Sequence, residues 1–208
     1  MITVDNKTEL GLKIAAAMND CGSDKESSHS YSEGYAYLIN KTIGRMPKTF
    51  LEIGIANVGP ENSSLHGWAS VFTDAEIYGI DIDPRKMIES DRIKTFVVDQ
   101  SDPLKVSAFK GSLGDTRFDV ILDDGSHVFD HAATTFKMIF SRLSDDGVYM
   151  IEDIGKIDGL YGQSVADWDS LLSSIDNINY EIIDCNPSVP SDDSILIGVW
   201  KKVEKQES

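Results

Sequence analysis

Ile121-Leu-Asp-Asp-Gly-Ser-His127 is an apolar run that stops abruptly at acids, and Tyr149-Met-Ile-Glu-Asp-Ile154 repeats the pattern downstream. A continuous apolar run reads as a strand buried on both faces, and the C-terminal ends of such strands are where a parallel sheet opens into a site. As neighbouring strands, the two segments bring Asp124, Glu152 and Asp153 to one sheet edge, with His127 beside them. Carboxylates that close repel one another unless a cation joins them. The two stretches together predict a parallel sheet whose C-terminal edge carries a divalent-metal site and an adjacent base.

Outward from these strands, elements alternate. Strands are predicted over 49–55, 76–83, 94–99, 118–123, 148–152, 180–184 and 195–200, and helices over 64–72, 129–143 and 166–175. Two more helices are predicted before them, over 7–20 and 31–43, separated by a polar stretch, Cys21-Gly-Ser-Asp-Lys-Glu-Ser-Ser-His29. Alternating strand and helix with apolar strands gives an α/β fold with a doubly wound, Rossmann-like sheet of seven strands. The last two strands are joined by Pro187-Ser-Val-Pro-Ser-Asp-Asp193 without a helix, and so short a connection suits an antiparallel C-terminal hairpin in a mostly parallel sheet. Residues 1–203 are expected to form a single domain, a helical segment over 1–46 and a core over 47–203, followed by a polar tail over 204–208.

The chain has 208 residues, 41% hydrophobic and 26% charged, with a formal net charge of −16. That length suits one well-packed domain. The charge repels polyanions and anionic bilayers, which argues against nucleic acid and membrane surfaces as partners. Cys21 and Cys185 form no CxxC pair, so free thiols in a reducing cytoplasm are expected rather than a disulfide or a zinc cluster. The first residues lack the basic and apolar regions of a signal peptide, and no apolar run reaches the ~20 residues of a membrane span.

Three further strand ends carry a cofactor pattern. The first strand runs into Glu52-Ile-Gly-Ile-Ala-Asn-Val-Gly59, where Gly54 permits close approach of a ligand to backbone. Asp81 ends the second strand, where an acid can accept both hydroxyls of a ribose, and Asp99 ends the third, within reach of an adenine amino group. A dinucleotide would want GxGxxG here. Ala56 stands in place of a second glycine, and Glu61 in Gly59-Pro60-Glu61 carries the wrong charge for a pyrophosphate. A cofactor with ribose and adenine but no phosphate, S-adenosylmethionine, fits better.

The order of elements and the ExGxxxxG loop resemble class I S-adenosylmethionine-dependent methyltransferases. Gly22-Ser-Asp-Lys25 with His29 and Tyr31, Tyr78-Gly-Ile-Asp-Ile-Asp-Pro84, Asp99-Gln-Ser-Asp102, Asp123-Asp-Gly-Ser-His127 and Ile151-Glu-Asp153 together resemble the metal-dependent sugar O-methyltransferases of macrolide biosynthesis. The resemblance runs from about Gly22 to Asp153. It implies Asp124, Glu152 and Asp153 as magnesium ligands and His127 as general base. It also implies Gly54, Asp81, Asp99 and Gln100 on the cofactor, with Ser64 at its methionine end. Asp123, whose side chain should point away from that of Asp124, is expected to be structural rather than a metal ligand and falls on the cofactor side.

Oxygen ligands suit Mg²⁺ or Mn²⁺. A sugar diol can chelate such an ion, and His127 can then take the hydroxyl proton. The chemistry predicted is O-methylation of a sugar or glycosylated small molecule. A catechol-like or other diol acceptor follows the same logic, and a non-catalytic cofactor-binding protein is the reading from another class. His131 is expected at the surface or behind the ligands, and Trp68 in the core. Two readings stay open for His29, a ligand contact or a loop residue, and for Asp158-Gly-Leu-Tyr-Gly162, a lid carrying Tyr161 or a plain surface loop. The N-terminal helices are open to covering the cofactor, touching substrate or joining subunits in a homo-oligomer.

Overall fold

The computed structural model of the protein describes residues 1–4, 6–55 and 63–202. The chain runs β1 (Ile2–Thr3), α1 (Glu9–Asp20), α2 (Asp24–Ser27), α3 (Ser32–Thr42), β2 (Thr49–Ile53), α4 (Ser64–Val71), β3 (Glu76–Asp81), β4 (Ile93–Val97), α5 (Pro103–Ser112), β5 (Phe118–Asp123), α6 (Phe129–Ile139), β6 (Leu143–Ile154), α7 (Val165–Leu172), β7 (Ile178–Asp184) and β8 (Ile195–Lys201). The strands form one sheet in the order β1-β7-β8-β6-β5-β2-β3-β4. Pairing is parallel except where β8 lies antiparallel between β6 and β7. The predicted doubly wound sheet with a C-terminal hairpin is present, and β1, pairing parallel with β7, adds an eighth strand.

Side chains alternate across the central strands into two apolar layers. Ile121 of β5 and Tyr149 and Ile151 of β6 face a core shared with Val106 and Phe109 of α5, Phe136 of α6 and Trp168 of α7. Val120 and Leu122 of β5 and Val148 and Met150 of β6 face the other, with Ile14 and Met18 of α1, Leu38 and Ile39 of α3 and Trp68 of α4. Burial on both faces is why these strands read as unbroken apolar runs. Trp68 is fully buried, stacked on Phe50 and Phe72 with Tyr35 at its edge. It is a core residue, and truncating it to alanine would cost about 3–5 kcal/mol.

Three local features depart from the sequence prediction. The stretch before β5 holds a helix, α5, opened by Asp102 as cap and Pro103 in the first turn. Leu143 starts a strand, because the preceding helix ends at Ile139 and a 3-10 turn at Phe140–Arg142 intervenes. The polar stretch before α3 contains the single-turn helix α2, capped by Ser23. Among the described residues no helix is long and apolar enough to cross a membrane.

Candidate active site

Register sets the site. Ile53 of β2 pairs with Ile80 on one side and Asp123 on the other, and Asp123 pairs with Ile151. The next residues, Gly54, Asp81, Asp124 and Glu152, therefore emerge at one edge. The order of strands reverses between β2 and β5, which opens a crevice there. Gly54 has φ +83°, and a Cβ on it would lie 2.0 Å from the Asp124 carbonyl oxygen. Glycine is thus required for the ends of β2 and β5 to close on each other, whatever ligand lies beside them.

A cleft of about 240 Å³ opens at this point, bordered by Gly54, Asp81, Ile82, Asp99, Gly125 and His131. Asp81 accepts from the backbone N–H of Ile55 (3.2 Å) and of Asp83 (2.8 Å). Hydrogen bonds from the hydroxyl and backbone N–H of Ser101 hold Asp99 below the usual carboxylate range. Gln100 lines the cleft, but its amide is engaged in the scaffold. It donates to both Asp123 oxygens (2.7 and 2.8 Å) and accepts from Ser126 N–H (2.9 Å). Tyr149 also donates to Asp123 (3.0 Å), and burial pushes that carboxyl up to about 6 against these bonds. The loop Ala56–Asn62, with Gly59-Pro60-Glu61, lies outside the described residues.

The acids of the second group split into two sets. Asp124 Oδ1 lies 3.9 Å from His127 Nε2, and Asp153 Oδ2 lies 3.4 Å from His127 Nδ1. One ligand atom from each of Asp124, His127 and Asp153 falls within 4.8 Å of the others, a spacing that suits a hard divalent ion. Glu152 is turned further inward. It accepts from Tyr35 Oη (2.6 Å) and from Lys25 Nζ (3.0 and 2.9 Å). The same ammonium bonds Asp124 and lies 3.3 Å from Glu52, whose other oxygen accepts from Ser64 Oγ (2.7 Å). Ser64 thus braces an acid at the site.

Burial alone would lower the Lys25 pKa, but Asp124, Glu152 and Glu52 together hold it well above the ordinary lysine value. Burial raises the Glu152 carboxyl, with Asp124 and Asp153 adding to the rise and Lys25 opposing it. Burial and Asp124 raise Asp153 as well. The cluster is short of positive charge, as a cation site should be.

Backbone distortion makes this convergence happen. Regular alternation would send Glu152 and Asp153 to opposite faces. Instead β6 bulges: Ile151 pairs with Ile197 and Ile154 with Ile195, so two residues oppose one, and Asp153 is left-handed at φ +55°. His127 is left-handed too, at φ +53°. Each such residue costs of order 1 kcal/mol or more and needs support. Gln163 supplies it by donating to the carbonyls of Glu152 (2.8 Å) and Asp153 (3.3 Å), and Trp168 Nε1 fixes Gln163 (3.0 Å). Tyr31 Oη accepts from Asp153 N–H (2.9 Å) and donates to Asp153 Oδ1 (2.8 Å).

The site therefore contains residues that periodicity does not single out. Lys25 and Gln163 sit in polar stretches, and Tyr31 and Tyr35 read as members of an apolar stripe. His29 stacks on Tyr31 and lies 3.5 Å from Asp193 and 3.9 Å from Asp153. His131 borders the cleft and pairs with Ser126. Tyr161 packs on Gly155 and donates to the Ser191 carbonyl, which ties its loop to the segment before β8.

No family model matches the chain. A sequence relative from Streptomyces olivaceus, 8-demethyl-8-alpha-L-rhamnosyl tetracenomycin-C 2'-O-methyltransferase, is 33% identical over 136 residues, 64% of this chain and 35% of that protein. Demethylmacrocin O-methyltransferase of Streptomyces fradiae is 39% identical over 107 residues, 50% of this chain and 27% of that protein. The MycE methyltransferase of the mycinamycin biosynthetic pathway, solved in complex with Mg and SAH, superposes with a TM-score of 0.73 over 94% of this chain and 56% of its own, at 24% identity. The chain shares the fold of that solved methyltransferase and is similar in sequence to these O-methyltransferases. The likeness extends to the strand order and so to the crevice between β2 and β5. The matched segment spans only about a quarter to a third of the length of those two curated relatives.

Proposed function

We propose that the chain catalyses S-adenosylmethionine-dependent O-methylation of a hydroxyl on a sugar or glycosylated small molecule, with Mg²⁺ or Mn²⁺ bound at Asp124 and Asp153. The observation that carries this reading is the placement of Asp124, His127 and Asp153 within 4.8 Å of one another beside a cleft bordered by Asp81 and Asp99. The names of the relatives support the same chemistry.

In this reading Asp81 accepts the ribose hydroxyls and Asp99 borders the adenine. Gly54 and the Gln100–Asp123 pair shape the floor, and Ser64 borders the methionine end. Glu152 completes the acid set from the inner side, where Lys25 and Tyr35 hold it. A divalent ion there supplies charge that lowers the pKa of an acceptor hydroxyl and orients it. Asp153, 3.4 Å from Nδ1, fixes the ring of His127, leaving Nε2 to take the acceptor's proton. Holding acceptor oxygen and methyl donor in line supplies much of the remaining acceleration. The net charge of −16 favours a small neutral or cationic acceptor over nucleic acid.

Calorimetric titration of S-adenosylmethionine into chelator-treated protein, repeated with Mg²⁺, tests the reading. Cofactor binding in both, plus a separate Mg²⁺ heat that vanishes in Asp124→Ala, is expected. Absence of cofactor binding in either state would reduce the likeness to one of fold.

A further inference from the structure

Lys25 is a charged side chain only 2% exposed, delivered to the sheet edge by α2 between the two long N-terminal helices. Its ammonium bonds Asp124 and Glu152 and pairs with Glu52 at 3.3 Å. Glu52 is wholly buried, and its Oε1 has no hydrogen-bond partner among the described residues. Its nearest compensation is the Lys25 charge. A buried carboxylate oxygen that makes an ion contact and no hydrogen bond is what a cation position looks like from the ligand side.

Asp124 faces two ways. One oxygen points at His127 and the outer group with Asp153, while the other bonds the Lys25 ammonium in the inner group with Glu52 and Glu152. One carboxylate thus links a partly open outer group and a buried inner one. Bridged pairs of divalent ions lie ~3.5–4 Å apart.

We propose that Lys25 is a built-in cation that fills the inner position, so that a set of acids able to hold two divalent ions takes one. The inner position rests on contacts made by Lys25 itself; the outer rests on the function proposed above. Replacing the ammonium with a neutral side chain of similar length would free Glu52, Asp124 and Glu152 for a second divalent ion.

The test is Mn²⁺ binding to chelator-stripped wild type and Lys25→Met, counted by equilibrium dialysis and read by electron paramagnetic resonance, with circular dichroism to follow folding. The variant should bind one Mn²⁺ more than wild type, give an exchange-coupled spectrum, and show a thermal midpoint that Mn²⁺ raises further than that of wild type. Adding Glu52→Gln to the variant should remove the extra ion. An equal count in the two folded proteins would overturn the proposal. So would a variant that stays unfolded at saturating Mn²⁺, because an ion in the inner position should replace the ammonium. If wild type binds none and the variant binds one, the Lys25 proposal stands and the outer site falls. If each binds one, the outer site stands and the Lys25 proposal falls.

Discussion

The two ends of β5 hold the same residue type in opposite circumstances. Asp119, near the start, accepts a two-pronged bond from Arg45 (2.9 and 3.0 Å) and another from Lys48 N–H (2.7 Å). Burial opposes its ionisation, yet Arg45 and the Lys48 amide outweigh it and hold the carboxyl low. Asp124, just past the other end, shares its surroundings with Glu52, Glu152 and Asp153 and with one lysine, while Asp123 is held by the neutral Gln100 and Tyr149. At the first end charge is balanced, and the second is left negative. The difference separates what stabilises the sheet from what is available to bind a cation.

The largest effect is expected from His127→Ala, which should cut turnover by roughly 10²–10⁴-fold while leaving cofactor binding and the thermal midpoint nearly unchanged. Loss of folding would place His127 with the structural end instead. Asp119→Ala should destabilise by about 2–3 kcal/mol in denaturant titration, less than the ~3–5 kcal/mol of a fully buried broken pair because Arg45 is 42% exposed. Activity per folded molecule should persist; a proportionate loss of both would mean the two ends are coupled.

The third prediction concerns pH in chelator. The Asp123 carboxyl at about 6 lies above its unfolded value of ~3.9, so the folded state binds the extra proton between those values. Stability should then fall, by about 2 kcal/mol, as pH rises from ~4 through ~6. Asp119 has the opposite sign: its folded pKa is depressed, so its contribution is present above ~4 and is lost as pH falls below that. Thermal midpoints from pH 3 to 8 should peak near 4–5, and Asp123→Asn should flatten the upper limb. A monotonic rise to pH 8 would contradict the assignment. The smallest effect is expected from Gln163→Leu, which frees two bulge carbonyls and should cost about 1–2 kcal/mol. It should also weaken Mg²⁺ binding several-fold by calorimetry, and Gln163→Glu, which cannot donate when ionised, should not restore it.

The sheet is legible in the sequence because β5 and β6 are buried on both faces, so their apolar runs are unbroken and their acidic ends abrupt. Strand adjacency makes the gathering of acids at one edge legible, but the bulge and the left-handed backbone that bring Asp153 beside His127 are not. α5 is not legible, because only Val106 and Phe109 of the helix are buried while Leu104 is 81% exposed, too thin a stripe to show a period. Lys25 falls in a motif that carries the resemblance, but its role is not legible for a related reason: a lone lysine in a polar stretch reads as solvated, and only the acids brought in by distant strands turn it inward. Tyr31 and Tyr35 read as members of an apolar stripe and are buried, but periodicity reports the ring and not where the hydroxyl reaches. Gln100 borders the cleft and Asp123 lies behind it, with the Gln100 amide spent on the Asp123 carboxylate.

The bulge in β6 means that this strand is one residue too long for its partner. Removing Asp153 would let Glu152 lie opposite Leu196 and restore an unbroken ladder with β8. The shortened strand would be the better strand, with no left-handed residue to hold and no carbonyls for Gln163 to tether. It would also aim a single acid at the edge in place of two. The surplus residue is thus what divides a sheet that merely folds from one that sets two acids at its edge, and a deletion of one codon would carry the chain from the second to the first.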